Sequence, residues 1–228
     1  MKKMTFIILI LVLFSACENH SKDDLNENSV LSSYEIGRMH NEALTYYYSK
    51  STNVFETGEA VLLIEQYLVT GKGYDKEFVH ECAQQMMSSP EYDLMFNSKS
   101  TFDKSSIFAY LDAIKKHFNP SDRIMNAFKQ AFILGEDSDA AEVKDFIINN
   151  IKNKSWTGID KDLAYVFTDV FLHSYDYWTT ISCNKLKKAT LVILYDAGGA
   201  LHGMIFGPVG SIIEGALVSA VASEKIPD

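Results

Sequence analysis

Residues 197–213 read AGGALHGMIFGPVGSII, and this stretch decides the fold expected for the chain. It contains no Asp, Glu, Lys or Arg, and it lies between two acids, Asp196 and Glu214. Small residues recur at every fourth position through it and beyond it: Gly199, Gly203, Gly207, Ser211, Gly215, Ser219 and Ser223. Residues four apart share one face of a helix, so this register predicts a groove on which a second helix packs closely.

The glycines of this stretch require a packing partner, because glycine costs about 1 kcal/mol at each helical position in water. Pro208 should interrupt the helix, since its ring clashes with the carbonyl four residues earlier. We therefore predict a Gly-rich C-terminal helical hairpin over 185–223, with arms at about 186–206 and 208–223. The spacing leaves three roles open for it: membrane association, self-association into a homo-oligomer, or tight packing in the core of a soluble domain.

The preceding residues, 34–184, predict an irregular domain of about seven helices, so the fold class is all-α. One clear helical stripe consists of Ile107, Leu111, Ile114 and Phe118. The next helix is expected to be capped by Asn119 and opened by Pro120. Ser138 is expected to begin the helix after that.

The first residues have the three parts of a signal peptide. Lys2 and Lys3 precede an apolar run from Phe6 to Phe14, and Ser15-Ala16 leads to Cys17. The apolar run is well short of the roughly 20 residues that span a bilayer. Residues 1–16 are therefore expected to be removed rather than to form a membrane helix.

A small-residue cleavage site followed directly by Cys17 resembles the lipobox of bacterial lipoproteins, although Phe14 stands where Leu, Val or Ile is usual. The resemblance implies that Cys17 carries acyl chains and anchors the mature protein to a membrane. The polar residues 17–33 are expected to form a flexible tether. Within them, 21–24 (SKDD) resembles the export tag of Bacteroidetes lipoproteins, which implies the outer membrane or cell surface; a solvated linker is the alternative.

The charge of the chain disfavours a nucleic-acid partner. The net charge is −9, and removal of residues 1–16 takes away two lysines and no acid, which leaves −11. Cys82 and Cys183 remain after lipidation; an exported protein permits a disulfide between them, but both lie in apolar contexts that suit buried thiols. The sequence leaves their pairing open.

No phosphate loop, zinc-type cysteine pairing, HExxH motif or nucleophile elbow occurs in the sequence, so we predict no enzymatic activity, cofactor or metal. The best polar group is His40-Asn41-Glu42, which His173 is expected to face. An imidazole and a carboxylate can hold zinc or exchange protons, but hydrogen bonding between helices is the favoured interpretation.

The glycine register resembles the glycine-zipper segments of bacteriocin-like membrane-active proteins. The wider layout resembles Bacteroidetes lipoproteins without an assigned activity, on three features: Ile36-Gly37 with His40-Asn41, the segment 174–178, and the glycine-rich end. The implied function is a non-enzymatic surface or outer-membrane lipoprotein whose hairpin mediates self-association or membrane interaction. The alternative is a soluble helical binding module for a protein or glycan, with the hairpin buried in its core.

Overall fold

The computed structural model describes residues 35–51, 56–97, 104–181 and 186–226. Within these ranges 88% of the residues are helical and none is in a strand. The predicted all-α class is therefore confirmed. The predicted signal peptide, Cys17, the tether and Cys183 lie outside the described residues.

The helices of eight or more residues in the described ranges are α1 (Ile36–Lys50), α2 (Thr57–Gln66), α3 (Lys76–Met87), α4 (Lys104–Phe118), α5 (Asp122–Asp137), α6 (Ala140–Ile147), α7 (Ile159–Ile181), α8 (Leu186–Gly203) and α9 (Gly207–Lys225). Wider π-helical turns extend α2 and α6, at Tyr67–Gly71 and Ile148–Lys152. A single turn, Pro90–Tyr92, follows α3.

Two helix starts differ from the sequence prediction. Helix α5 is capped by Ser121 rather than Asn119, because the Ser121 hydroxyl accepts the backbone N–H of Ile124. Helix α6 is capped by Asp139 rather than Ser138. The Asp139 carboxylate accepts two backbone N–H groups at 2.9 and 3.0 Å, and its charge suits the positive end of a helix.

Helices α8 and α9, the C-terminal helix pair, are joined by a 3-10 turn at Met204–Phe206. The chain reverses at Gly207, whose φ of +84° lies in the positive range that glycine adopts without a Cβ penalty. Pro208 lies in the first turn of α9, where its missing N–H leaves no hydrogen bond unmade.

The C-terminal helix pair occupies the centre of the molecule. Helix α9 packs against α1, α2 and α3, whereas α8 packs against α4, α5, α6 and α7. Nearly every residue of the pair from 189 to 222 is buried, and its apolar side chains join those of all the other helices in one hydrophobic cluster. The described parts of the segments 34–184 and 185–223 therefore contribute side chains to one hydrophobic cluster.

Among the described residues, Lys188–Lys225 is the one segment long and apolar enough to cross a membrane. A buried core helix has the same length and composition. Here 72% of the most apolar window is buried inside the protein. The segment therefore combines the length and composition of a membrane span with burial inside the protein.

Candidate functional site

The small residues of the C-terminal helix pair allow the backbones of α8 and α9 to come into contact. A Cβ placed on Gly203 would collide with the carbonyl oxygen of Gly210, and one on Gly210 would lie 2.5 Å from that of Gly203. A Cβ on Gly199 would lie 2.8 Å from a methyl of Val218. Since real side chains do not approach this closely, the two helices can be this near only with glycine at these positions.

Other members of the predicted groove have different surroundings. A Cβ on Gly215 would lie 3.0 Å from the His40 ring, so this glycine admits a side chain from α1. A Cβ on Gly207 would meet nothing within 4 Å. Gly207 serves the chain reversal and not the groove. Ser211 and Ser219 are both buried within α9, and Ser223 exchanges a 2.7 Å hydrogen bond with Tyr48.

A buried carboxyl, Asp196, lies where α7, α8 and α9 meet. The indole N–H of Trp178 donates to its Oδ2 at 3.1 Å and to the Ser219 hydroxyl at 3.3 Å. Burial raises the pKa of Asp196 to about 7, although the hydroxyls of Ser219 and Ser174 and the Trp178 indole act in the opposite direction. The carboxyl is therefore largely protonated at mildly acidic pH.

His40 of α1 approaches this carboxyl, with 3.9 Å between its Nε2 and Oδ2 of Asp196. Burial lowers the pKa of His40 to about 4. Its Nδ1 lies 3.0 Å from Oδ1 of Asn41, an oxygen that can only accept, so a proton on Nδ1 completes a hydrogen bond there. Between pH 4 and 7 both groups are therefore neutral, and the contact is not an ion pair.

The structure brings three of the four sequence-predicted polar residues together. Asn41 links His40 to α7, because its Nδ2 donates to the backbone carbonyl of His173 at 2.8 Å. Nearby, the N–H of Gly37 donates to Asp169 at 2.7 Å. The segments 36–41 and 174–178, singled out in the sequence, therefore lie on neighbouring helices.

Glu42 is separated from the other three residues and lies on the surface. It forms ion pairs at 2.5 Å with both Arg38 and Lys72, and it accepts a hydrogen bond from Tyr67. Partial burial opposes ionisation, but these three donors prevail and lower the pKa of Glu42 to about 2. Glu42 is thus a fixed anion that holds α1 to the turn after α2.

Sequence reasoning missed a second polar group inside the helix pair. His202 of α8 lies 2.8 Å through Nδ1 from Glu214 of α9, and both side chains are almost fully buried. The ring of Tyr110 stacks on His202 with 4.1 Å between centroids. Burial and the nearby Glu214 raise the pKa of Tyr110 well above its ordinary value. The sequence feature that could have indicated buried polar groups here is the presence of two acids, Asp196 and Glu214, in otherwise apolar helices.

These buried groups lack the access that catalysis needs. Asp196, His40 and Glu214 are 0% exposed, so a substrate cannot reach them without opening the core. Within the described ranges, no three His, Cys, Asp or Glu side chains are grouped so as to hold a metal ion. Cys82 is buried beside the carbonyl of Phe206, to which its thiol donates at 3.7 Å. The polar groups connect helices rather than present chemistry to solvent.

Comparison with known proteins adds no relative to this description. No protein-family model matches the chain, and neither a curated protein nor a solved structure does.

Proposed function

We propose that the chain is a non-enzymatic lipoprotein, anchored through a lipid at Cys17 to the outer membrane or cell surface. Its helical domain is a binding module for a protein or glycan, and its C-terminal glycine-zipper hairpin forms the core of that module. The signal-peptide pattern and the lipobox resemblance support the anchor. The polar residues 17–33 would give the module reach from the membrane.

The observation that carries this proposal is the mutual contact of Gly203 and Gly210. The backbone of each glycine fills the space beside the other, so this part of the groove is already occupied by the partner arm of the same chain. A second copy or a lipid would have to displace that arm. Use of the small residues within the chain favours the core role over self-association or membrane insertion.

A second candidate function is membrane interaction or self-association by a hairpin that leaves the core. Two features favour it: the apolar length of Lys188–Lys225, and a buried hydroxyl in the core. The hydroxyl of Ser211 has no partner in hydrogen-bonding geometry among the described residues. Such an atom costs about 1–3 kcal/mol, which would make opening of the core easier.

Gly203→Leu distinguishes the two candidates. In the core proposal, the leucine forces α8 and α9 apart and lowers the melting temperature of the unlipidated protein, because overpacking costs about 1–3 kcal/mol or more. In the membrane or oligomer proposal, the melting temperature falls as well, because the hairpin starts in the core; the natural protein then also causes liposome leakage or forms cross-linked multimers, and Gly203→Leu abolishes them. In the core proposal the natural protein does neither. Met204→Leu, which conserves side-chain volume in the adjacent turn, is the control.

A further inference from the structure

An open cleft of about 310 Å³ lies on the opposite side of α5 from the buried core, and the proposed core role does not use it. One wall is the outer face of α5, and the other is α6 with the loop that follows it. The lining residues are Arg123, Asn126, Ala127, Gln130, Phe146, Asn150, Lys154 and Trp156. Its volume is at the lower end of the range for small-molecule sites, which suits a ligand of one or two rings.

The cleft carries positive charge in a protein whose net charge is −9. Arg123 and Lys154 form no ion pair with any residue that the structure describes, and none of the described lining residues is acidic. Two acids close to Arg123 along the chain or in space are engaged elsewhere: Asp122 pairs with Lys115 at 2.9 Å, and Asp160 accepts the backbone N–H of Ser121 at 2.9 Å. The two cations therefore remain available to an anion.

The aromatic wall of the cleft is held in place. The indole N–H of Trp156 donates to the carbonyl of Ile151 at 2.7 Å, which fixes the ring against the end of α6. The guanidinium of Arg123 lies 4.7 Å from the centre of that ring. This cation–π contact orders the arginine beside an apolar surface without neutralising its charge.

Three amide side chains, Asn126, Gln130 and Asn150, complete the lining. The amide nitrogen of Asn150 donates to the backbone carbonyl of Phe146 at 3.0 Å, which leaves the amide oxygen of Asn150 to accept from a ligand. Amides both donate to and accept from hydroxyl groups. The cleft thus combines cations for a carboxylate, amides for hydroxyls, and an aromatic and apolar surface for the face of a ring.

We propose that this cleft is the binding site of the module and that it takes an acidic sugar, with Arg123 and Lys154 at the carboxylate and Trp156 against the ring. The inference rests on the proposed function and identifies the ligand as a uronate-type glycan rather than a protein. Arginine suits a carboxylate because its planar fork offers two parallel donors. The hydroxyl groups of such a sugar match the three amides.

The test is calorimetric titration of the protein, released from its lipid, with D-glucuronate, D-glucose and acetate at equal ionic strength. Glucuronate should bind about tenfold more tightly than either glucose, which lacks the carboxylate, or acetate, which lacks the ring. Arg123→Gln should weaken glucuronate binding about tenfold. Lys116→Gln removes one charge from an exposed position on α4 outside the cleft and should leave binding unchanged.

Equal affinity for glucuronate and glucose, equal affinity for acetate, or unchanged binding in Arg123→Gln would each overturn the inference. Tighter binding of a peptide with a free C-terminal carboxylate would also overturn it in favour of a protein ligand. The melting and leakage results for Gly203→Leu do not depend on the cleft. Failure of the sugar site is therefore distinguishable from failure of the core proposal.

Discussion

At the scale of single residues, Asp196 and His40 give the core opposite responses to pH. The pKa of Asp196 is raised to about 7, so its favourable contribution to folding is complete below pH 3.8 and is lost as pH rises to 7. The pKa of His40 is lowered to about 4, so its contribution is complete above pH 6.5 and is lost as pH falls to 4. Between about pH 4 and 6.5 the contributions of Asp196 and His40 to the free energy of unfolding change in opposite directions and largely cancel.

Asp196→Asn should remove the pH dependence that Asp196 gives to the free energy of unfolding. The free energy of unfolding of the variant, relative to that of the natural protein, should increase by about 4 kcal/mol between pH 4 and pH 8, because the variant never ionises the buried group. Urea unfolding at several pH values measures this difference. The groups that face Asp196 from the neighbouring helices are His40, Tyr48 and Tyr177, in addition to Trp178 and the two serines.

Asp176→Asn, an exposed position on α7, controls for the loss of a carboxylate as such. A constant difference between Asp196→Asn and the natural protein from pH 4 to 8 would contradict the assigned protonation. The variant then would act only through altered packing or hydrogen bonding.

The sequence predicted the polar contact between His40-Asn41 and His173, but not the partners of Asp196. His40 and His173 stood out as imidazoles on two different helices, where they could take part in hydrogen bonding between helices. Asp196 was visible only as the boundary of an uncharged run. Its partners come from α1, α7 and α9, so they are brought together by the tertiary fold and not by any local spacing.

At the scale of helices and turns, a four-residue register identifies residues on one face but not what covers each of them. Gly199 and Gly203 face the partner helix, Gly215 faces α1 as well, and Gly207 faces none. The register could not reveal the exception, because it assumes one continuous helix and Gly207 lies where the chain reverses. The caps of α5 and α6 were also predicted at the wrong residues. In each case a second polar residue lies within two positions of the true cap, and either one could have capped the helix.

Gly37→Ala tests the contact between α1 and α7. A Cβ on Gly37 would lie 2.5 Å from the backbone carbonyl of Asp169 and 2.6 Å from Nδ1 of His173. Because one of these atoms is backbone, the helices must separate, and we expect a loss of about 1–3 kcal/mol in the free energy of unfolding. Chemical denaturation measures it.

The matched control is Gly58→Ala in the first turn of α2, where an added Cβ meets nothing within 4 Å. The same substitution there should stabilise the protein by about 0.4–1 kcal/mol, since alanine restricts the unfolded chain more than glycine does. Equal effects at the two positions would mean that the approach of α1 to α7 is not as close as described.

At the scale of the whole molecule, composition could not decide between a core and a membrane segment. A helix pair buried by other helices and one buried by lipid need the same apolar residues. The amphipathic stripes of α4 and α5 showed that these helices had one covered face, but not that α8 covers it. That assignment depends on contacts between segments distant in sequence.

The proposed lipid anchor would determine where the entire molecule is held, and Cys17→Ala tests it. The variant should carry no acyl chains, because the thiol is the point of attachment, and it should be recovered in the soluble fraction. Metabolic labelling with a fatty-acid probe, followed by fractionation, measures both. Equal labelling of the variant and the natural protein would show that the lipobox resemblance is misleading.

The central position of the C-terminal helix pair also affects how the chain folds. Helices α1 to α7 leave the ribosome before α8 and α9, so the parts of their apolar faces that α8 and α9 cover stay uncovered until the later segment arrives. The contact between Tyr48 and Ser223 joins residues 175 positions apart in the chain, and long-range contacts of this kind slow folding. Because exposed apolar surface promotes aggregation, a nascent chain whose translation stalls before α8 should be more prone to aggregate than the complete one.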